Sequence, residues 1–187
     1  MLPRVYLAGP DVFLPDAAEV AARKKEICAA CGLSGVFPTD PVELEELLAL
    51  PEHRRIYRAN EAHLRSCDAI IANLTPFRGP SVDPGTAYEV GFMRALGRPV
   101  FGYSTDARPF VARSIAHVGE AVVRTVEGRW IDGDGLLIES FGLVENLMLD
   151  CGILESGGAV FVLHAADPWR DTEAFARAAA ACAAAFG

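Results

Sequence analysis

The sequence predicts an α/β protein, a parallel sheet with helices on both faces. Three observations carry that expectation. Short apolar runs with strand character alternate with longer stretches of helical periodicity through Tyr103. The runs are followed by proline, glycine or polar breakers, as at Gly9-Pro10 and Pro38. At 187 residues, 51% apolar, the chain is long enough to bury a real core and short for two. Residues 1–187 are therefore read as one domain.

The elements follow in order. Val5 to Ala8 is the first strand, closed by Gly9-Pro10. Pro15 to Cys31 reads as a helix with Ala18, Ala21, Ile27 and Cys31 on its apolar stripe, and Gly32 stands where a C-terminal glycine cap belongs. Val36-Phe37 is a brief second strand, and Glu52 to Ser66 a second helix. Ala69 to Leu74 is the strongest strand signal in the chain. Asp83-Pro84 is a start signal for a helix to Leu96: a carboxylate N-cap, then proline at the first helical position. Val100 to Tyr103 is the next strand. Later, Trp130 to Leu137 reads as an excursion or hairpin and Phe141 to Asp150 holds a short helix. Ala159 to Leu163 is another strand, and Trp169 to Phe186 an alanine-rich closing helix. Ligands of such sheets sit beyond the carboxyl ends of the strands, which directs attention to Gly9–Pro15, Pro38–Pro41 and Thr75–Asp83.

Composition excludes several classes. Seventeen Lys+Arg against 25 Asp+Glu give a net charge of −8, which argues against a nucleic-acid partner. Arg23-Lys24-Lys25 and Arg54-Arg55 read as solvated helix faces. No apolar run approaches a membrane span and no signal-peptide pattern opens the chain, so no membrane role and a cytoplasmic address are expected. The spacing Cys28-x-x-Cys31 lacks a second pair, so reduced core thiols are expected and no metal site. Gly9-Pro10-Asp11 is neither a dinucleotide fingerprint nor a P-loop, and no cofactor is expected.

The helix from Asp83 carries the strongest chemical signal. Glu89 shares a stripe with Phe92, Met93 and Leu96, so its carboxylate faces apolar surroundings. It is either a catalytic group or a buried acid with a structural partner. Asp83 lies about 9 Å along the axis and about 120° around it, suiting an N-cap or a second contact to the same small ligand. A place early in the helix favours an ionised Glu89. Tyr6 sits within the first strand, and its hydroxyl needs a partner if buried. Asn60 shares a helical face with Ile56, His63 and Leu64. Phe13, in the first ligand-facing loop, suits stacking on a flat ligand. Asn146 is an amide in an apolar stretch, for which helix capping is a sufficient role.

Four blocks resemble the nucleoside 2-deoxyribosyltransferase family, in that family's order. They are Tyr6-Leu7-Ala8-Gly9-Pro10-Asp11-Val12-Phe13, the run Cys67 to Gly79, Asp83-Pro84-Gly85-Thr86-Ala87-Tyr88-Glu89-Val90-Gly91, and Phe141 to Met148. The resemblance implies a flavodoxin-like fold, 2′-deoxynucleosides and free nucleobases as ligands, and base exchange on the deoxyribosyl group. It implies that Glu89 attacks the anomeric carbon, Tyr6 orients it and Asp83 holds the sugar 5′-hydroxyl. It implies that Asn146 is donated across an interface of a homo-oligomer, a dimer or hexamer; Gly9, Phe13, Asp40, Asn60 and Met148 are expected as further substrate contacts. One departure stands out. The bacterial subgroup has a base-facing aspartate where this chain has Asn60, and Asp40 is the expected substitute for handling the base's proton. Nucleotide-hydrolysing relatives carry a glycine-rich first loop, whereas Asp11 is expected to repel a 5′-phosphate here. A hydrolase of the same fold and a non-catalytic nucleoside-binding module are the competing readings; the second predicts loss of the nucleophile, and Glu89 is present.

Overall fold

The computed structural model describes residues 1–43 and 47–187. Five parallel strands lie in the order β2-β1-β3-β4-β8: β1 (Arg4–Ala8), β2 (Ser34–Val36), β3 (Ala69–Asn73), β4 (Val100–Ser104) and β8 (Val160–Val162). Between them run α1 (Ala17–Ala30), α2 (Glu52–Ser66), α3 (Pro84–Ala95), α4 (Phe110–Val118) and α5 (Leu147–Glu155), with α6 (Glu173–Ala184) closing the chain. A small antiparallel sheet of β5 (Val123–Arg124), β6 (Trp130–Ile131) and β7 (Leu137–Ile138) forms the expected excursion.

Strand alternation divides the core. Val5 and Leu7 join Ile71, Phe101 and Tyr103 against α1 and α6, where Phe175, Ala178 and Cys182 fill the layer. Tyr6 and Ala8 join Ile70, Ala72 and Val100 on the other face, against Leu64 of α2, Val90 and Met93 of α3 and Ile153 of α5. Both faces are thus covered, the condition under which a parallel sheet is stable. The order reverses direction between β1 and β3, and their register, Tyr6 beside Ile70 and Ala8 beside Ala72, brings both carboxyl ends to one edge. A crevice opens at such a switch point.

Several boundaries differ from the sequence reading. The first helix starts at Ala17, because Pro10–Phe13 forms a 3-10 turn ahead of it. The late helix starts at Leu147 instead of near Phe141; Gly142 has φ +73°, a left-handed conformation that a helix cannot include. The last helix starts at Glu173, since backbone amides of Trp169 and Arg170 turn back onto the Asp167 carboxylate. Helix α4, in the unassigned stretch after Tyr103, has no counterpart in the sequence reading. Leu96 of the supposed apolar stripe is 40% exposed, one turn beyond the part of α3 that meets the sheet.

The basic run of the first helix is a correction. Lys24 is buried, its ammonium 2.7 Å from Asp11 Oδ2 and donating to Tyr103 Oη at 2.6 Å. Lys25 pairs with Asp40 at 2.5 Å. Only Arg23 of the three remains exposed. All five cysteines are free; Cys28, Cys67 and Cys182 are core residues, Cys31 is half-buried and Cys151 is exposed, and burial pushes the Cys28 and Cys182 thiols up to about 12.

Candidate active site

A cavity of about 480 Å³ opens at the carboxyl ends of β1 and β2, between their loops, α2 and the start of α3. Gly9, Phe13, Asp40, Asn60, Asp83 and Glu89 all line it. The segments that bring them together are far apart in the chain, and the switch point joins them.

Glu89 is 8% exposed, and its Oε1 accepts a 2.7 Å hydrogen bond from the hydroxyl of Tyr6, which is fully buried. Burial pushes the Glu89 carboxyl up to about 7; the Tyr6 hydrogen bond opposes the rise and the nearby Asp83 adds to it. Desolvation therefore opposes the expectation that the helix start keeps this acid ionised. Glu89 lies beyond the first turn, where the helix dipole has faded, and desolvation wins. Burial, the Glu89 charge and the shared hydrogen bond hold the Tyr6 hydroxyl protonated, well above its ordinary range. The pair is a buried carboxyl poised near neutrality with a hydroxyl donor beside it.

Asp83 caps α3, accepting from Thr86 N at 3.0 Å and from the Thr86 hydroxyl through the same Oδ2. That leaves Oδ1 for the cavity. Gly85 is needed beside it, since a Cβ there would stand 2.9 Å from Asp83 Oδ2. Gly9 is tighter still: a Cβ would come within 2.5 Å of Asp11 Oδ2 and 2.7 Å of Asn73 Cβ. Asp11 itself is buried under the loop, bonded by Asn73 and neutralised by Lys24, so it presents no charge to a ligand. The reading of Asp11 as an acid that repels phosphate is overturned; among the described residues, the acids facing the cavity are Asp40, Asp83 and Glu89.

Asp40 has both oxygens engaged, Oδ1 by Lys25 and Oδ2 by the backbone N–H of Phe37 at 2.9 Å. His63 Nε2 contacts the Asp40 carbonyl at 3.0 Å, which fastens this loop to α2. Phe13 is 58% exposed and stacks on Phe77 at 5.4 Å with the rings 12° from parallel. Arg55, assigned above to a solvated basic face, also lines the cavity beside Ile56 and Asn60. Its i, i+1 and i+5 spacing from those residues places the three on adjoining sectors of one helix, a signal available in the sequence.

Asn146 and Met148 do not join this cavity. Asn146 caps α5, accepting from Met148 N at 3.0 Å and donating to Glu139, and Met148 is 74% exposed. Both line a separate cavity of about 1040 Å³ against α3 and α5. Next to them is a residue the sequence reading passed over. Glu145 is wholly buried and paired with Arg113 at 2.9 Å; it also accepts from Ser81 Oγ at 2.6 Å, Val82 N at 3.1 Å and Asn146 N at 3.0 Å. Arg113 in turn donates to the carbonyls of Pro80 and Val144. The pair clasps the turn leading into Asp83 to the turn leading into Asn146. An acid inside the apolar run Leu143–Met148 was the available signal, of the same kind as Glu89.

Comparisons with known proteins identify the family and the fold. A family model described as nucleoside 2-deoxyribosyltransferase matches residues 5–148. An uncharacterised protein of Schizosaccharomyces pombe is 37% identical over 172 residues, 86% of this chain and 82% of that protein. The structure of a 2-deoxyribosyltransferase from Leishmania mexicana is similar, with TM-score 0.62, 32% identity, and 95% of this chain and 97% of that one covered. A conserved protein from Enterococcus faecalis V583 shares the fold at 20% identity, TM-score 0.55, over 96% of this chain and 98% of that one. With the matched region running from Tyr6 and Gly9 through Asp83 and Glu89 to Asn146, the chain belongs to the nucleoside 2-deoxyribosyltransferase family.

Proposed function

We propose that this protein transfers the 2-deoxyribosyl group of a 2′-deoxynucleoside between nucleobases through a covalent intermediate on Glu89. The observation that carries the reading is one buried carboxyl, held by Tyr6 and pushed up to about 7, in the wall of a cavity that it shares with Asp83. In the first half-reaction a Glu89 oxygen bonds to C1′ as the C1′–N bond breaks, its electron pair leaving on the base, which takes up a proton. In the second, a nitrogen of the incoming base bonds to C1′, the C1′–O bond to Glu89 breaks, and that base gives up its proton.

Asp83 Oδ1 holds the sugar 5′-hydroxyl in this reading, Phe13 stacks on the base and Asn60 bonds its edge, with the Gly9 backbone against the sugar. An amide supplies no proton, so Asp40, released from Lys25 and carrying a proton taken from solvent, protonates the leaving base and takes the proton back from the incoming one. Half-buried Asn146 and exposed Met148, both away from this cavity, complete the site of a second copy in a homo-oligomer. The reading places the protein in nucleoside salvage, with no metal or cofactor.

Incubation with deoxyinosine and adenine, followed by chromatography, tests it. Deoxyadenosine should accumulate with hypoxanthine. Hypoxanthine without deoxyadenosine would establish hydrolysis instead, and binding without turnover would reduce the protein to a nucleoside-binding module.

A further inference from the structure

Phe13 is an exposed side chain on a loop, yet in the reading above it has to present a fixed face to a base. An exposed ring samples its rotamers within nanoseconds, and ordering it on binding costs affinity. The structure holds it from behind. Phe77 stacks on Phe13, and Trp169 packs edge-on against Phe77, with centroids 6.2 Å apart and planes at 89°. Arg78 lays its guanidinium over Phe77 at 4.6 Å and over Phe13 at 5.4 Å. It does so from φ +55°, the one left-handed non-glycine residue among those described, a conformation that persists only where its surroundings hold it.

Trp169 lies outside the family-matched stretch, in the turn before α6. That turn is fastened at three points. Its own amides bond to Asp167 Oδ1. The Pro168 carbonyl accepts from Thr105 Oγ1 at 3.0 Å. Arg170 forms a two-pronged ion pair with Asp16, at 2.8 and 2.9 Å. Asp16 lies three residues after Phe13, so the carboxyl-terminal turn grips the Phe13 loop twice, through an aromatic ladder and through a charge pair.

We infer that Trp169 and Arg170 are positioning residues, a strap that fixes the Phe13–Phe77 platform and thereby sets affinity for the nucleobase. The inference rests on the proposed base exchange, but its test reads binding separately from turnover. Adenine binding is measured by calorimetry, and exchange by KM for adenine and kcat, on wild type, Trp169→Ala, Trp169→Phe and Arg170→Ala. An aromatic contact of this kind corresponds to about three- to tenfold in affinity. Trp169→Ala should weaken adenine binding by that factor, with the loss in KM and not in kcat. Trp169→Phe should restore most of it, and Arg170→Ala should lose about two- to fivefold. Wild-type affinity in both alanine variants would overturn the strap, as would a fall in kcat at unchanged KM. If wild type binds adenine without exchanging it, the transferase reading falls. Affinity lost in the variants would still support the strap.

Discussion

Replacing Glu89 with glutamine separates the cost of the buried carboxyl from its chemistry. The amide keeps the acceptor that Tyr6 bonds at 2.7 Å, and the side chain keeps its volume. What it loses is the charge. Between the ordinary value of 4.5 and about 7, folded Glu89 holds a proton that the unfolded chain has released. Folding then binds protons, so the wild type loses stability as pH rises through that window. At about 1.4 kcal/mol per tenfold change in proton affinity, the loss amounts to about 3 kcal/mol. Glutamine has no such loss. Urea denaturation at fixed protein concentration, at pH 4.5 and pH 8, measures it. Relative to wild type, Glu89→Gln should gain up to about 3 kcal/mol between the two conditions, while exchange falls by about 10⁴-fold or more. A stability difference that does not change with pH would refute the claim that Glu89 is a desolvated acid.

Four further outcomes are expected. The kcat/KM of the wild type should rise with pH through about 7, as Glu89 ionises, and a flat profile between pH 5.5 and 8.5 would contradict an ionised nucleophile. Tyr6→Phe removes the bond that holds the Glu89 value down, so this limb should move to higher pH and activity at pH 7 should fall about ten- to hundredfold. Asp83→Asn should shift the limb the opposite way, because a neighbouring negative charge is lost while an asparagine still caps α3; circular dichroism melting should show a near-native Tm, with KM for the nucleoside raised. Asp40→Asn should cost about a hundredfold in kcat if the base's proton passes through it. A loss below threefold would reduce Asp40 to a brace for the loop that Lys25 and Phe37 hold.

Local pattern revealed what local pattern determines. The strand–helix alternation, the Asp83-Pro84 helix start and the inward face of Glu89 are each set within a turn or two of chain. The Tyr6–Glu89 bond was half legible: the strand required a partner for the hydroxyl, but 83 residues separate the two. Lys24 was misread because a basic triplet looks solvated until a buried acid is known to face its middle member. Phe77, Arg113 and Trp169 carried no signal, since each acquires its role from a partner more than thirty residues away. Helix α4 hides for a related reason: nine residues behind a proline are too few to show a period.

The Arg113–Glu145 clasp also bears on how this protein can vary over generations. Either charge alone would be stranded in a dry interior, at about 3–5 kcal/mol, a large share of a small domain's total stability. A neutral route from one pairing to another therefore does not pass through single substitutions. The two positions are expected to change together or stay fixed, and surviving descendants should carry both charges or neither. Because the clasp joins the turn before Asp83 to the turn before Asn146, that inheritance ties the starts of α3 and α5 into one unit of descent.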